Sequence, residues 1–152
     1  MKQIDELLYD GICADSDLIE YIGGAQQIQS TCFEVSPEDQ DNTPLPYLII
    51  TYDGFQMKQG TKDCVWETGE DAETATIEIA AESRDEVMKL VRMVRRAIEN
   101  HMCGLYAQGE ATPQLDDLHG NGIAWDWMKP CHFTHITYQV TTNNNDDDEQ
   151  TS

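Results

Sequence analysis

Positive charge is scarce in this chain of 152 residues, which has 9 Lys and Arg against 29 Asp and Glu. The formal net charge at pH 7 is therefore −20. Binding to a nucleic-acid backbone requires a net supply of Lys and Arg, and anionic membrane surfaces attract the same residues. The composition thus excludes general binding to nucleic acid or to a membrane surface.

Long apolar runs and a cationic amino-terminal segment are also lacking. No run approaches the ~18 apolar residues of a membrane span. Asp5 and Glu6 stand where a signal peptide has cationic and then apolar residues. The five cysteines contain no CxxC pair. We therefore expect the chain to stay in the cytoplasm with five reduced thiols, of which Cys64 is the most exposed.

The sequence contains none of the motifs G-x-S-x-G and H-E-x-x-H, and no Gly-rich phosphate loop. Asp116, Asp117 and His119 lie close together, but adjacent acids are expected by chance in so acidic a chain. Trp125 and Trp127 would share one side of a strand, where such pairs more often fill a core or a subunit contact than bind a ligand. We predict that the chain is not an enzyme and needs no cofactor.

The nearest approach to a metal site is Cys131, His132 and His135. Strand alternation would place Cys131 and His135 on one face and His132 on the other. Zinc would need further ligands, from His101 or Cys103 for example, and no regular spacing supports them. We therefore predict no metal site, and a packed Cys131 instead.

The amino-terminal half alternates helices and strands. Apolar residues at helical spacing predict a first helix, which Gly11 is expected to interrupt. Asp15 or Ser16 can cap a second short helix that Gly23 ends. Alternating or continuous apolar residues predict three strands, and the segment between the last two is either a loop or a hairpin. The strands are Gln27–Val35, Leu45–Tyr52 (apolar on both faces and therefore central) and Glu73–Glu82.

A long amphipathic helix is the clearest element. Ser83 and Glu86 form a capping box, and an apolar stripe follows at helical spacing. We predict a helix over Arg84–Asn100, with Gly104 as a stop beyond it. Strand-like segments then appear at Leu105–Ala111, Ile123–Met128 and Cys131–Val140, with a loop over 116–122.

This order predicts an α+β fold, with one mainly antiparallel sheet, the long helix packed on one face, and helices at the amino terminus. The domain spans residues 1–140. Thr141–Ser152 is polar, acidic and free of hydrophobic residues, which is typical of a disordered tail. We therefore expect an end at Val140 to leave the melting temperature nearly unchanged.

The few positive charges are clustered. Arg84, Lys89, Arg92, Arg95 and Arg96 lie within the long helix. Lys89, Arg92 and Arg96 share one helix face, with Arg95 beside them and the apolar stripe opposite. A helix face that is exposed to water is sufficient to explain this strip of basic residues. In so acidic a chain the strip also suits head-to-tail contact with the acidic surface of a neighbouring copy.

Six short segments form a series of structural motifs along the chain: I-G-G (Ile22–Gly24), T-P-L-P-Y-L-I-I (Thr43–Ile50), G-T-K-D (Gly60–Asp63), T-A-T-I-E-I-A (Thr74–Ala80), S-R-D-E-V to V-R-R-A-I (Ser83–Ile98) and H-F-x-x-I-T-Y-Q-V (His132–Val140). Together these segments resemble the small tail terminator, or tail completion, proteins of long-tailed bacteriophages and prophages. The combination of an L-P-Y strand with a V-R-R-A helix is the most telling part. The resemblance covers roughly residues 3–140, and its motifs are structural rather than catalytic.

The resemblance implies a structural protein that forms a hexameric ring on the end of the tail tube. Such a ring stops tube polymerisation and joins the tail to the head, so its partners are further copies, the tube protein and the head-tail connector proteins. It would assemble in the host cytoplasm and remain in the tail or neck of the virion. Two alternatives stay open: another neck component, such as a head-closure protein, or an acidic protein that mimics DNA.

Overall fold

A six-stranded mixed sheet forms the centre of the molecule in the computed structural model, which describes residues 3–31, 44–57, 70–109, 114–128 and 130–143. The main strand order is β1-β2-β3-β6-β4, and β5 also pairs with β6. Among the pairings of described residues, that of β1 with β2 is parallel and the others are antiparallel. The strands are β1 (Ile28–Ser30), β2 (Tyr47–Met57), β3 (Glu70–Ala81), β4 (Gln114–Gly120), β5 (Ala124–Asp126) and β6 (Cys131–Asn143). The predicted α+β fold is confirmed, and the predicted central strand lies between β1 and β3.

Two short helices, α1 (Ile4–Cys13) and α2 (Ser16–Ile22), precede the sheet. Asp15 caps α2 by accepting a hydrogen bond from the backbone N–H of Leu18 at 3.1 Å. Gly23 ends the helix with a φ of 98°, a conformation that favours glycine. Both predicted ends of this helix are therefore confirmed.

A carboxylate on the sheet anchors the first turn of α1. Glu73 of β3 accepts a hydrogen bond from the backbone N–H of Ile4 at 3.3 Å and another from the hydroxyl of Tyr52 at 3.1 Å. Burial, followed by the nearby charge of Glu73, raises the pKa of Tyr52 to about 12. One acidic side chain thus satisfies a helix terminus and joins α1 to β2 and β3.

The long helix α3 (Arg84–Ala107) packs with α1 against one face of the sheet. Ser83 caps it through a 3.2 Å hydrogen bond from the backbone N–H of Glu86, as the capping box predicted. The fully buried side chains between the helices and the sheet include Ile4, Leu8, Ile12, Leu48, Ile50, Ile77, Ile79, Val87, Leu90, Val94 and Val140. This core fixes which face of α3 is exposed to solvent.

Two glycines lie inside helices that they were expected to interrupt or end. Gly11 remains within α1, where an added Cβ would lie 3.4 Å from the Cα of Ile98 and from the Cβ of His101. The missing side chain therefore lets α1 approach α3 closely. Gly104 lies within α3, which continues to Ala107 while Met102 packs against the core. A helical glycine costs only about 1 kcal/mol, and packing of the helix outweighs that cost.

The region after α3 differs most from the prediction. The expected strand over Leu105–Ala111 is wrong, because α3 occupies its first part. The expected loop over 116–122 is also wrong, because β4 runs through Gly120. Among the described strands β4 pairs only with β6, so it lies at an edge of the described sheet, where strands carry polar and charged residues. The acidic sequence of β4 is the reason why a loop was predicted there.

The carboxyl-terminal strand extends beyond the predicted boundary at Val140. Thr141, Thr142 and Asn143 pair with Ala72, Asp71 and Glu70 of β3, and Thr141 also pairs with β4. The first three residues of the predicted disordered tail are therefore strand. Both ends of the predicted loop or hairpin over Asp53–Asp71 belong to strands β2 and β3. Outside the described residues lie its middle part (58–69), the rest of that tail and the predicted extension of β1 to Val35.

Two truncations are expected to differ in stability. Ending the chain at Asn143 keeps every described pair of β6 and should change the melting temperature little. Ending it at Val140 removes ladder hydrogen bonds, each with a net value of about 0.5–1.5 kcal/mol, and should lower the melting temperature by several degrees. Differential scanning calorimetry of both chains checks this. Equal melting temperatures would show that the last three residues of β6 add no stability.

None of the helices in the described ranges combines the length and the apolar character that crossing a bilayer requires.

Candidate functional site

The outer face of α3 carries the basic residues that the sequence analysis selected. Lys89, Arg92, Arg95 and Arg96 are all exposed, and the buried stripe that includes Leu90 and Val94 faces the sheet. The apolar packing thus determines the position of the positive charges. The predicted separation of a basic face from an apolar face is present in the structure.

Three of these residues surround an open cleft between the carboxyl-terminal half of α3 and the sheet. The cleft has a volume of about 740 Å³, and Arg92, Arg95 and Arg96 line it together with Glu99. Apolar side chains of α3, β4 and β6 complete the lining: Met102, Tyr106, Leu115 and Tyr138 are among them. The arrangement suits a ligand group that is apolar at its centre and acidic at its edge.

Lys89 occupies a different environment from the three arginines. Its ammonium nitrogen lies 4.5 Å from the centre of the Tyr21 ring on α2, a cation–π geometry. Lys89 does not line the cleft. The four predicted interface residues therefore divide into an arginine cluster at the cleft and one lysine held against α2.

The sheet face opposite the helices holds the pair considered for metal binding. Cys131 is buried in a small cluster with Tyr47 and Ala80. Burial, followed by the negative charge of Glu78, raises the pKa of Tyr47. His135 places its Nε2 atom 3.1 Å from Oε1 of Glu78. Within the described ranges, no three His, Cys, Asp or Glu side chains are arranged to hold a metal ion.

The two tryptophans are near each other, but neither fills the core. Their rings meet edge to face, with centroids 5.9 Å apart and planes at 80°. Trp125 also contacts His132, at 4.7 Å between ring centroids. Trp125 is 38% exposed and Trp127 is 84% exposed. In the described part of the structure this pair therefore does not fill the core, and a subunit contact or ligand binding remains as its role.

The cysteine environments revise the expectation about accessible thiols. Among the described cysteines, Cys103 is exposed and lines the cleft, Cys131 is buried and Cys13 is half-buried. Burial raises the pKa of the Cys13 thiol, with a smaller opposing effect from a hydrogen bond to Tyr9. The accessibility of Cys103 was not predicted, because helical spacing alone did not show that α3 continues past Asn100. The expectation for Cys64 falls outside the described residues.

A thiol count can test these assignments. The native protein should react quickly at Cys103, because that thiol is accessible, and slowly at Cys13 and Cys131, because their side chains are less accessible to the reagent. Cys103→Ser should therefore remove one fast site in a titration with a water-soluble thiol reagent. The unfolded, unreduced wild-type chain should show all five cysteines. A lower number would mean that a disulfide exists and that the predicted compartment is wrong.

Comparisons with known proteins indicate the fold. No family model matches the chain, and no curated protein matches it. Among solved structures, the chain is similar to a protein chain in the virion of a native gene transfer agent particle, with a TM-score of 0.55 and 12% sequence identity. The similarity covers 92% of this chain and 94% of the other. At this identity the two chains share a fold, and the shared fold extends over nearly the whole of both.

Proposed function

We propose that this chain is a structural component of a phage-type tail. In this proposal its copies form a ring, a hexamer as in the tail terminator family, on the end of the tail tube. The ring stops tube polymerisation and joins the tail to the head. The chain has no catalytic role and needs no cofactor. It assembles in the host cytoplasm and remains in the neck of the particle.

The observation that carries this proposal is the shared fold with a chain of a virion particle, over more than nine-tenths of both chains. The sequence resemblance to tail terminator proteins supports it independently, because it depends on segments spread along the whole domain. The shared fold and the sequence resemblance both support a role in virion assembly. The more specific role of tail terminator is supported by the sequence resemblance alone.

The charge distribution supports ring formation. Arg92, Arg95 and Arg96 are concentrated at one cleft of a molecule whose net charge is −20. A site of one sign on a body of the opposite sign favours contact between two different surfaces of identical copies, and such a contact closes into a ring when the rotation permits. The remaining acidic surface would repel DNA that passes through the ring.

The decisive experiment uses the phage or prophage whose genome encodes this chain. An affinity tag is added after Ser152, and gold-labelled antibody locates the tag on purified particles by electron microscopy. The proposal predicts one label position, at the end of the tail next to the head. A label on the head shell or along the tube contradicts it, and absence from particles removes the virion role.

A second measurement separates the alternatives. Loss of a tail terminator should give tubes of uncontrolled length, whereas loss of another neck component should leave free heads beside tails of normal length. A DNA mimic should be absent from the particle and should compete with DNA for a nucleic-acid enzyme. Deletion of the gene, followed by electron microscopy of the lysate, distinguishes these outcomes.

A further inference from the structure

The turn between β5 and β6 presents two large apolar side chains to solvent. Trp127 is 84% exposed and Met128 is 94% exposed. Their positions are supported: Asp126 accepts a hydrogen bond from the backbone N–H of Met128 at 2.9 Å, and Trp125 packs edge to face on Trp127. A contiguous exposed apolar group of this kind marks an interaction site, and Trp is enriched among residues that dominate binding energy.

The arginine cleft has properties that match this turn. Met102, Tyr106 and Leu115 offer an apolar lining, and the volume of about 740 Å³ lies in the range that encloses a sizeable ligand group. The guanidinium groups of Arg92, Arg95 and Arg96 stand beside that lining. Arginine over an indole face gives a favourable cation–π contact. An indole and a thioether therefore find both apolar and cationic partners in the cleft.

The turn and the cleft lie at opposite ends of the same molecule. Met128 precedes the start of β6, whereas Tyr138, which lines the cleft, lies in the last half of that strand. At about 3.3 Å per residue, Cys131 and Tyr138 are about 23 Å apart along the strand. The turn of one copy thus cannot enter its own cleft. Contact between the two features requires a second copy, placed head to tail.

Charge agrees with the same placement. The turn carries Asp126, and Glu82 lies near it, because the backbone oxygen of Glu82 is 3.3 Å from Nδ1 of His132, which contacts Trp125. Asp85, exposed at the start of α3, adds another acid at this end, while the exposed Arg84 is basic, as is Lys129, the next residue after Met128 in the sequence. Among the described side chains that line the cleft, three arginines stand against Glu99. The acids around the turn of one copy therefore complement the arginines of the next copy's cleft.

We propose that the Trp127–Met128 turn of one copy occupies the arginine cleft of the neighbouring copy. This inference rests on the proposed function, because it specifies the contact through which the ring closes. It assigns the binding contact to one apolar turn, and it assigns to the arginines the recognition of that turn and of the acids around it.

A disulfide cross-link tests this contact with a cysteine that the chain already has. Cys103 is exposed and lines the cleft. In the full-length Met128→Cys variant, a turn seated in the neighbouring cleft would bring the new thiol close to Cys103 of that neighbour. Mild oxidation should give a ladder of covalent oligomers on a non-reducing gel, because head-to-tail links continue from copy to copy. Two controls should give no ladder: Met128→Cys with Cys103→Ser, and Met88→Cys, which places an exposed thiol on α3 and not in the turn.

The Trp127→Ala variant gives an independent measurement, since this exposed side chain contributes little to folding. Its self-association constant, measured by light scattering over a concentration series, should weaken by about 30-fold, the loss typical of a binding hot spot. Phe55→Ala, which truncates another exposed aromatic residue, should leave association nearly unchanged.

The outcomes separate this inference from the proposed function. A ladder with weakened association of Trp127→Ala supports the contact. Covalent dimers alone would indicate a two-fold contact and overturn it. Rings without a cross-link would overturn the contact and leave the ring intact, and a wild-type chain that stays monomeric without a cross-link also overturns it. A ladder from a protein whose deletion leaves tail tubes normal would keep the contact and remove the tail role.

Discussion

The double variant Arg92→Glu/Arg96→Glu is expected to fold normally and to fail in ring formation. Both side chains are exposed on the outer face of α3, and both line the cleft. Reversal of both charges would place carboxylates where an acidic neighbour must approach. The buried stripe of α3 is unchanged, so the circular dichroism spectrum and the melting temperature should stay near those of the wild type.

The size of the effect comes from repetition around the ring. Each exposed ion pair contributes only about 0–1 kcal/mol, but every interface of the ring contains the same pairs, and reversal converts attraction into repulsion. Association of the wild type should also weaken as salt rises, because screening shortens the reach of charges to about 8 Å at physiological ionic strength. Light scattering in a salt series measures both effects.

The single variant Arg96→Glu should weaken association, whereas Arg84→Glu should not. Arg84→Glu makes the same change of charge on the same helix, but Arg84 lies outside the cleft, at the first residue of α3. A carboxylate there is compatible with the positive end of the helix dipole. If the double variant supports normal tail length and infectivity in a complementation assay, the basic face is a solvated surface.

The second large effect is expected from Leu90→Ala. Leu90 is fully buried between α3 and the sheet. Removal of a buried leucine side chain commonly costs about 2–5 kcal/mol, through lost transfer energy and the cavity that remains. The free energy of unfolding of a domain is about 5–15 kcal/mol in total, so the variant should unfold at a much lower denaturant concentration. Without the packing of Leu90 against the sheet, α3 should also lose its fixed orientation, and with it the position of the basic face.

Met88→Ala controls for the change in helix side chains. Met88 lies two positions away on the same helix and is 39% exposed. Its truncation should change the free energy of unfolding by much less than Leu90→Ala. Urea denaturation of both variants gives the comparison. Similar losses would contradict the orientation of α3 on which the position of the basic face depends.

The sequence was most informative where local chemistry and packing agree. The capping residues Ser83 and Asp15, the glycine turn at Gly23 and the apolar stripe of α3 each determine structure through neighbours a few residues away. The same spacing correctly separated the buried face of α3 from Arg92 and Arg96.

Prediction was wrong where tertiary contacts outweigh local preference. Gly11 remains helical because its missing side chain permits close approach to α3, a partner almost ninety residues away in sequence. The strand nature of β4 depends on pairing with β6, and its polar sequence contains little sign of that partner. The cleft could not be predicted for the same reason, since Leu115 and Tyr138 reach α3 only through the sheet.

The length of the tail tube tests the central claim most directly. Particles are collected from a strain that lacks this gene, from the same strain complemented with the wild-type chain, and from one complemented with Arg92→Glu/Arg96→Glu. Tube lengths are then measured by electron microscopy. We predict long tubes of widely varying length without attached heads in the first and third strains, and one defined length in the second. Tubes of one normal length joined to heads in the absence of the gene would contradict a terminator role.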